Sequence, residues 1–274
     1  MSYKKQLLVL LSALMLLGCA ATKRETSLSF TGLETDPRYL SGRLTLPGET
    51  DGPLPVVMLV HGSAGVDSRY GFHRPALIAA GMATFEVDFK THVFSTLANR
   101  PPIATFHPWV FGALRVLRNH PAIDPNRIAI MGFSLGGHLA ISAASQTLVT
   151  RWLGDDQAGF AAHVGFYPVC RYLRNHFGTG GPTGAPMLIL TAAEDSWGDG
   201  QSCPPFSRWI NTARAGLLEL VIYPNVYHGF DRQGSWAGYA PLAHNQTAIL
   251  RWDKAAATDS RHRAVAFLQL VFGL

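Results

Sequence analysis

From position 55 onward the chain alternates short, nearly wholly apolar runs with longer segments of helical periodicity, and few architectures accept that pattern. The runs are VVMLV (56–60), MATFEV (82–87), RIAIMGF (127–133), AAHVGFY (161–167), PMLILTA (186–192) and LELVIY (218–223). A strand that is apolar on both sides of its pleat has to be covered on both faces, as the central strands of a parallel sheet are. Residues 109–119, 135–147, 205–215 and 255–272 read as helices, the last with an apolar stripe at Ala264, Val265, Phe267, Leu268 and Val271. Parallel neighbours need crossover connections, which such helices supply. The expected fold class is therefore α/β, a mostly parallel central sheet with helices on both faces. Residues 28–33 and 39–46 alternate in character and are expected to form an antiparallel edge. No internal repeat, low-complexity tract or linker interrupts the pattern, so a single domain is expected over 28–274.

The first residues follow other rules. Lys4 and Lys5 precede an apolar run over 7–17, and Gly18, Cys19 and Ala20 follow, which is the order of a secretory leader. The run falls short of the roughly 20 residues that a membrane helix needs. The string LLGCA resembles the lipobox of bacterial lipoproteins. That resemblance implies a signal over 1–19, lipidation of Cys19 as the first mature residue, and a membrane anchor through the lipid. Cleavage after Ala21 would instead release a soluble protein. Both routes export the folded part, so the expected location is the bacterial cell envelope, with residues 20–27 as a polar tether. The net charge of +5 includes the two leader lysines, and no basic run is interleaved with aromatics, so nucleic-acid binding has weak support and is not expected.

The chemistry is concentrated at the ends of the strands. Ser134 lies in RIAIMGFSLGGHLAI, where a strand runs into Gly132-Phe133-Ser134-Leu135-Gly136 and a helix follows at once. This is the context of a nucleophile elbow, a strained turn that lifts a serine hydroxyl above the sheet. The helix N-terminus directs its amides and positive dipole end at charge that develops there. A serine hydroxyl needs a base, and the base needs a third group to fix its tautomer. His228, in the loop after LELVIY, is the expected base, with His244 as the fallback. Asp195, after PMLILTA, is the expected acid, with Glu194 as the alternative. The oxyanion hole is expected from the backbone N–H groups of Leu135 and of Ser63 in the loop HGSAG. His61 reads as a residue that holds that loop in shape, and Asp88 as structural.

In an oxidising compartment a disulfide is the default for two cysteines that come close, which applies to Cys170 and Cys203; two unpaired buried thiols are the alternative. Neither has a metal-ligand neighbour at zinc spacing, so no metal is expected. Phe72, Phe94, Phe106, Trp109, Tyr167 and Trp197 lie in or near loops where they either line an apolar pocket or join the core.

The segments LVHGSAGVDSR, DPNRIAIMGFSLGGHLA, FYPVC, LILTAAEDSWGDGQSC and YHGF together resemble the dienelactone hydrolase family of α/β hydrolases, from about residue 40 to 274. The resemblance implies an α/β-hydrolase fold and a small-ester or lactone hydrolase without a cofactor. It implies a triad of Ser134, Asp195 and His228, in that chain order, and supports pairing Cys170 with Cys203. Two departures stand out. The enzymes that named the family use cysteine as nucleophile where this chain has Ser134, which makes general carboxylester hydrolysis the safer expectation. A Pro-Arg-Gly segment that relatives carry after the strand ending near Asp88 is replaced by FKTHVFSTLANRPP. A ligand-binding lipoprotein that lost catalysis, and a peptidase on the same fold, are the alternatives.

Overall fold

The computed structural model describes residues 23–48, 52–90, 99–234, 238–241 and 247–274. Cys19, Phe94 and His244 lie outside the described residues. The main sheet is built from β1 (Arg24–Thr31), β2 (Tyr39–Leu46), β3 (Leu54–Val60), β4 (Ala83–Val87), β5 (Ile123–Phe133), β6 (Ala162–Phe166), β7 (Met187–Ala192) and β8 (Leu218–Tyr223). They are ordered β1-β2-β4-β3-β5-β6-β7-β8. β1 and β2 are antiparallel, as is the β2–β4 pair, and every pairing from β4 across to β8 is parallel. Register pairs Val60 with both Val87 and Gly132, and Phe133 with Phe166, so these strands end level with one another. That shared C-terminal edge is where open α/β sheets build their sites.

The two faces of the sheet are covered separately, as the alternation of side chains requires. Val57 and Leu59 pack against Tyr70 and Leu77 of α1 (Ser68–Ala79) and against the cluster containing Ala264 and Leu268 of α6 (Lys254–Phe272). Val56, Met58 and Val60 point the other way, onto α2 (His107–Arg118), α3 (Leu135–Ser142) and α4 (Gln146–Leu153). On that same side Met187 and Ile189 pack with Phe206 and Ile210 of α5 (Cys203–Ala213), beside the Cys170–Cys203 disulfide. A short antiparallel pair, β9 (Gly238–Pro241) and β10 (Thr247–Leu250), stands outside the main sheet.

Several boundaries differ from the sequence reading. β1 begins at Arg24, so Arg24 to Ser27, expected in the tether, pair with Leu46 to Arg43. Their side chains are exposed, so no apolar alternation marks them, and backbone pairing is joined only by the Glu25–Arg43 ion pair at 3.8 Å among the described residues. The helix expected over 135–147 is two helices, because the Ser145 hydroxyl accepts from Leu148 N–H and caps a new start. α1 was missed altogether: Gly71 and Pro75 lie inside it and weaken its helical pattern, while Asp67 caps it by accepting from Arg69 N–H. Phe72 is therefore helical. Phe106 and Trp109 are core residues that pack tilted and edge-on against Phe89 and do not line the cleft at Ser134.

α3, the helix after Ser134, is flanked by buried histidines. His138 Nδ1 donates to Val169 O at 3.1 Å, its Nε2 meets His176 Nε2 at 2.9 Å, and His107 Nε2 meets Ser142 Oγ at 2.9 Å. His163 Nδ1 donates to Ala140 O at 2.8 Å. Burial, reinforced by His176, pushes His107 and His138 down to about 3, and burial pushes His163 down to about 4. An unfolded chain takes up these protons below about pH 6.5 while the folded one does not, so stability rises with pH through that window. Lowering the pH from 7 to 5 is expected to cost at least ~2 kcal/mol in urea unfolding, and a flat profile would contradict this assignment. The disulfide spans 33 residues of sequence. Cys203→Ser is expected to lower unfolding free energy by roughly 3–4 kcal/mol in the chain-entropy account, measured on the same urea curves.

Candidate active site

Ser134 joins β5 to α3 with φ 56° and ψ −111°, a left-handed conformation that costs a non-glycine residue on the order of 1–3 kcal/mol. The turn persists because its surroundings fix it. Ser134 N–H donates to Phe166 O at 2.9 Å, and His138 N–H donates to Ser134 O at 2.8 Å. Glycines let the helix come this close. A Cβ on Gly132 would lie 2.0 Å from Gly136 O, and one on Gly136 would lie 2.1 Å from Val60 O. The sequence pattern around Ser134 is thus a packing requirement as well as a chemical one.

Two loops from the same sheet edge complete the arrangement. His228 Nε2 lies 2.9 Å from Ser134 Oγ, and His228 Nδ1 lies 2.8 Å from Asp195 Oδ2. The carboxylate leaves the proton on Nδ1 and the Nε2 lone pair facing the hydroxyl. Asp195 is itself held, because Oδ1 accepts from Trp197 N–H at 2.9 Å and from Gly198 N–H at 2.6 Å. His228 is gripped by rings, Trp197 stacked at 5.9 Å and Tyr167 edge-on at 4.6 Å. Its carbonyl accepts from Arg251 N–H. Ser134 is 9% exposed, and Asp195 and His228 are each 5% exposed. Glu194, the alternative acid, is exposed, and His228 Nδ1 is taken by Asp195 instead.

Ser63 and Leu135, the expected oxyanion donors, lie on either side of the Ser134 region. Leu135 is the first residue of α3, whose opening N–H groups have no acceptor within the helix. Ser63 lines the cleft beside Ser134. Its loop is tied down by Gly65 N–H donating to Gly62 O at 3.0 Å and by His61 Nδ1 donating to the same oxygen at 2.7 Å. His61 Nε2 then accepts from Phe89 N–H at 2.8 Å, so both ring nitrogens serve the loop. Asp88 accepts from Lys90 N–H, a local turn contact.

The cleft holds about 160 Å³ and is lined by Ser63, Arg69, Ser134, Trp197, Arg232 and Leu250 among others. Beneath it runs a polar network that sequence reasoning missed. Arg69 Nε and Nη2 donate to the two oxygens of Asp67 at 2.8 and 2.6 Å, and Nη1 donates to the Tyr167 hydroxyl at 3.2 Å. The Tyr167 hydroxyl donates to Asp231 Oδ1, and His73 Nε2 meets Asp231 Oδ2 at 2.7 Å. Arg232 Nε lies 3.2 Å from Asp67 Oδ2. Burial pushes Asp67 up, but the bonds and charge of Arg69 outweigh it and hold the carboxyl below its usual range. Burial raises the Tyr167 hydroxyl far above its usual value, and Asp231 raises it further, so Tyr167 is a permanent donor here. The available signal was slight, an Asp67 and an Arg69 two residues apart and an Arg232 four residues after His228. Among the described residues no group of three or more His, Cys, Asp or Glu side chains is arranged to hold a metal ion.

Comparison with known proteins adds an independent line. Residues 40–272 match the dienelactone hydrolase family. A Bradyrhizobium protein named "probable 2-oxo-3-(5-oxofuran-2-ylidene)propanoate lactonase" is 26% identical over 155 residues, covering 52% of this chain and 57% of that protein. Dipeptidyl aminopeptidase BIII of Pseudoxanthomonas mexicana is 27% identical over 127 residues, covering 41% of this chain and 18% of that protein. The chain thus spans little more than half of one curated relative and under a fifth of the other. The apo form of Thermogutta terrifontis esterase 2 superposes with a TM-score of 0.64 at 19% identity, covering 88% of this chain and 94% of that one. A likeness at that identity speaks for the fold, the α/β-hydrolase arrangement.

Proposed function

The chain belongs to the dienelactone hydrolase family, and on that premise we propose that it is a serine hydrolase of small carboxylic esters or lactones. The observation that carries the reading is the hydrogen-bonded chain from Asp195 through His228 to Ser134 at the floor of a cleft. A cleft of about 160 Å³ suits a small substrate, since drug-sized ligands occupy roughly 300–1,000 Å³. The lactonase name of one relative points to the same bond type.

His228 Nε2 removes the Ser134 proton as Oγ attacks the ester carbonyl carbon. The N–H groups of Leu135 and Ser63 take the charge that forms on the carbonyl oxygen, an interaction worth about 3–4 kcal/mol of barrier per donor in a comparable hydrolase. Collapse breaks the bond to the alcohol oxygen, which leaves with the proton from Nε2, and Ser134 keeps the acyl group. A water then gives a proton to Nε2 while its oxygen attacks the acyl carbon. The second collapse returns the proton to Ser134 Oγ and releases the carboxylic acid. Asp195 orients His228 and stabilises its charged form throughout.

The leader supports a second element of the proposal, export to the bacterial cell envelope with Cys19 carrying a lipid. An oxidising compartment of that kind also suits the Cys170–Cys203 bond.

Two measurements follow. Turnover of a short-chain 4-nitrophenyl ester is expected to fall by more than about 10³-fold in Ser134→Ala and in His228→Ala, each with an unchanged fold by circular dichroism. A folded wild type without ester turnover would return the ligand-binding reading, and faster amide than ester turnover the peptidase reading. The mass of the mature N-terminus is expected to show a diacylglyceryl group on Cys19; a chain starting after Ala21 would reject the anchor.

A further inference from the structure

Arg69 and Arg232 are the formally cationic residues that line the cleft, and both bond the same carboxylate. Asp67 spends Oδ1 on Arg69 Nε and shares Oδ2 between Arg69 Nη2 and Arg232 Nε. Arg69 Nη1 donates to Tyr167, whose hydroxyl is in turn committed to Asp231. Two guanidiniums therefore face two carboxylates, and His73, the other partner of Asp231, is kept neutral by burial. Asp195 contributes a further negative charge beside His228. Residues 91–98, 235–237 and 242–246 contain no Asp, Glu, Lys or Arg, so they bring no formal carboxylate or ammonium charge wherever they lie. The rest of the lining includes Trp197 and Leu250, which offer apolar surface.

A substrate carboxylate entering this cleft would meet no guanidinium whose charge is unspent. It would have to displace Asp67 or sit against it, and either course costs free energy because Asp67 is held by the buried Arg69. We propose that Asp67 is a specificity-determining residue, which, by occupying both cleft guanidiniums, restricts the site to esters whose bound portion is uncharged. This rests on the ester-hydrolase reading and deepens it by naming the charge class of the substrate. Asp67 also caps α1, and asparagine keeps a capping oxygen while removing the charge, so Asp67→Asn isolates the electrostatic role.

The test compares kcat/KM for 4-nitrophenyl valerate with that for mono-4-nitrophenyl glutarate, after subtraction of uncatalysed hydrolysis. The wild type is expected to favour valerate by more than about tenfold. Asp67→Asn is expected to narrow the ratio by about tenfold, chiefly through the KM for glutarate, and Arg232→Gln added to it is expected to restore the preference. Arg232→Gln alone leaves Asp67 in excess and is expected to widen the preference, which supplies a variant independent of Asp67→Asn folding. A wild type that accepts glutarate as well as valerate overturns the proposal and leaves the esterase reading standing, as does a folded Asp67→Asn with an unaltered ratio. A folded wild type that turns over neither ester removes the esterase reading, and this proposal with it.

Discussion

The whole arrangement depends on how closely α3 can approach the sheet. The backbone oxygens of Val60, Gly136 and Phe166 lie where side chains on Gly136, Gly132 and Gly137 would otherwise stand. With that approach allowed, Ser134 can be held at φ 56° by bonds to two neighbouring backbone segments, and it lines the cleft from the N-terminal end of α3. Had the helix been kept even an ångström away, the hydroxyl and the helix N-terminus would no longer converge on one point. Strain at one residue is thus sustained by packing across three strands, β3, β5 and β6.

The level C-terminal edge of the parallel strands does the rest. Loops after β3, β5, β7 and β8 each deliver one component, and none has to travel far. The supporting groups are held as firmly as the reacting ones. Asp195 is bonded by two backbone N–H groups, His228 is boxed between Trp197 and Tyr167, and Tyr167 is anchored through Arg69 and Asp231. A site with its hydrogen bonds satisfied before substrate arrives spends little on reorganisation during reaction. The same network fixes the charge balance of the cleft, so the residues that position the base also shape what can bind beside it.

Much of this was legible in the sequence because the signals were local. Apolar runs gave the six parallel strands, and the strand-turn-helix around Ser134 identified the elbow without any distance information. Asp195 and His228 were found by their position just after a strand, where the structure brings both to Ser134. What escaped was of two kinds. α1 carries Gly71 and Pro75 within it, and the first four residues of β1, Arg24 to Ser27, have exposed side chains, so neither displays the periodicity that sequence reading uses. The Asp67–Arg69–Tyr167–Asp231 network joins residues up to 164 positions apart, and only the fold brings them together. Nothing local marks Arg69 as a buried residue, and it is 5% exposed.

The central claim is that Ser134 transiently carries the acyl group. Rapid quenching of the enzyme in the first milliseconds of turnover with a 4-nitrophenyl ester, followed by peptide mass spectrometry, tests it most directly. The account predicts a burst of nitrophenolate near one equivalent per active site and an acyl mass on the peptide that contains Ser134, longer-lived in Ser63 or Leu135 loop variants only where water attack is slowed. An acyl group on another residue, or turnover with neither a burst nor an adduct when deacylation has been slowed by low pH, would contradict it.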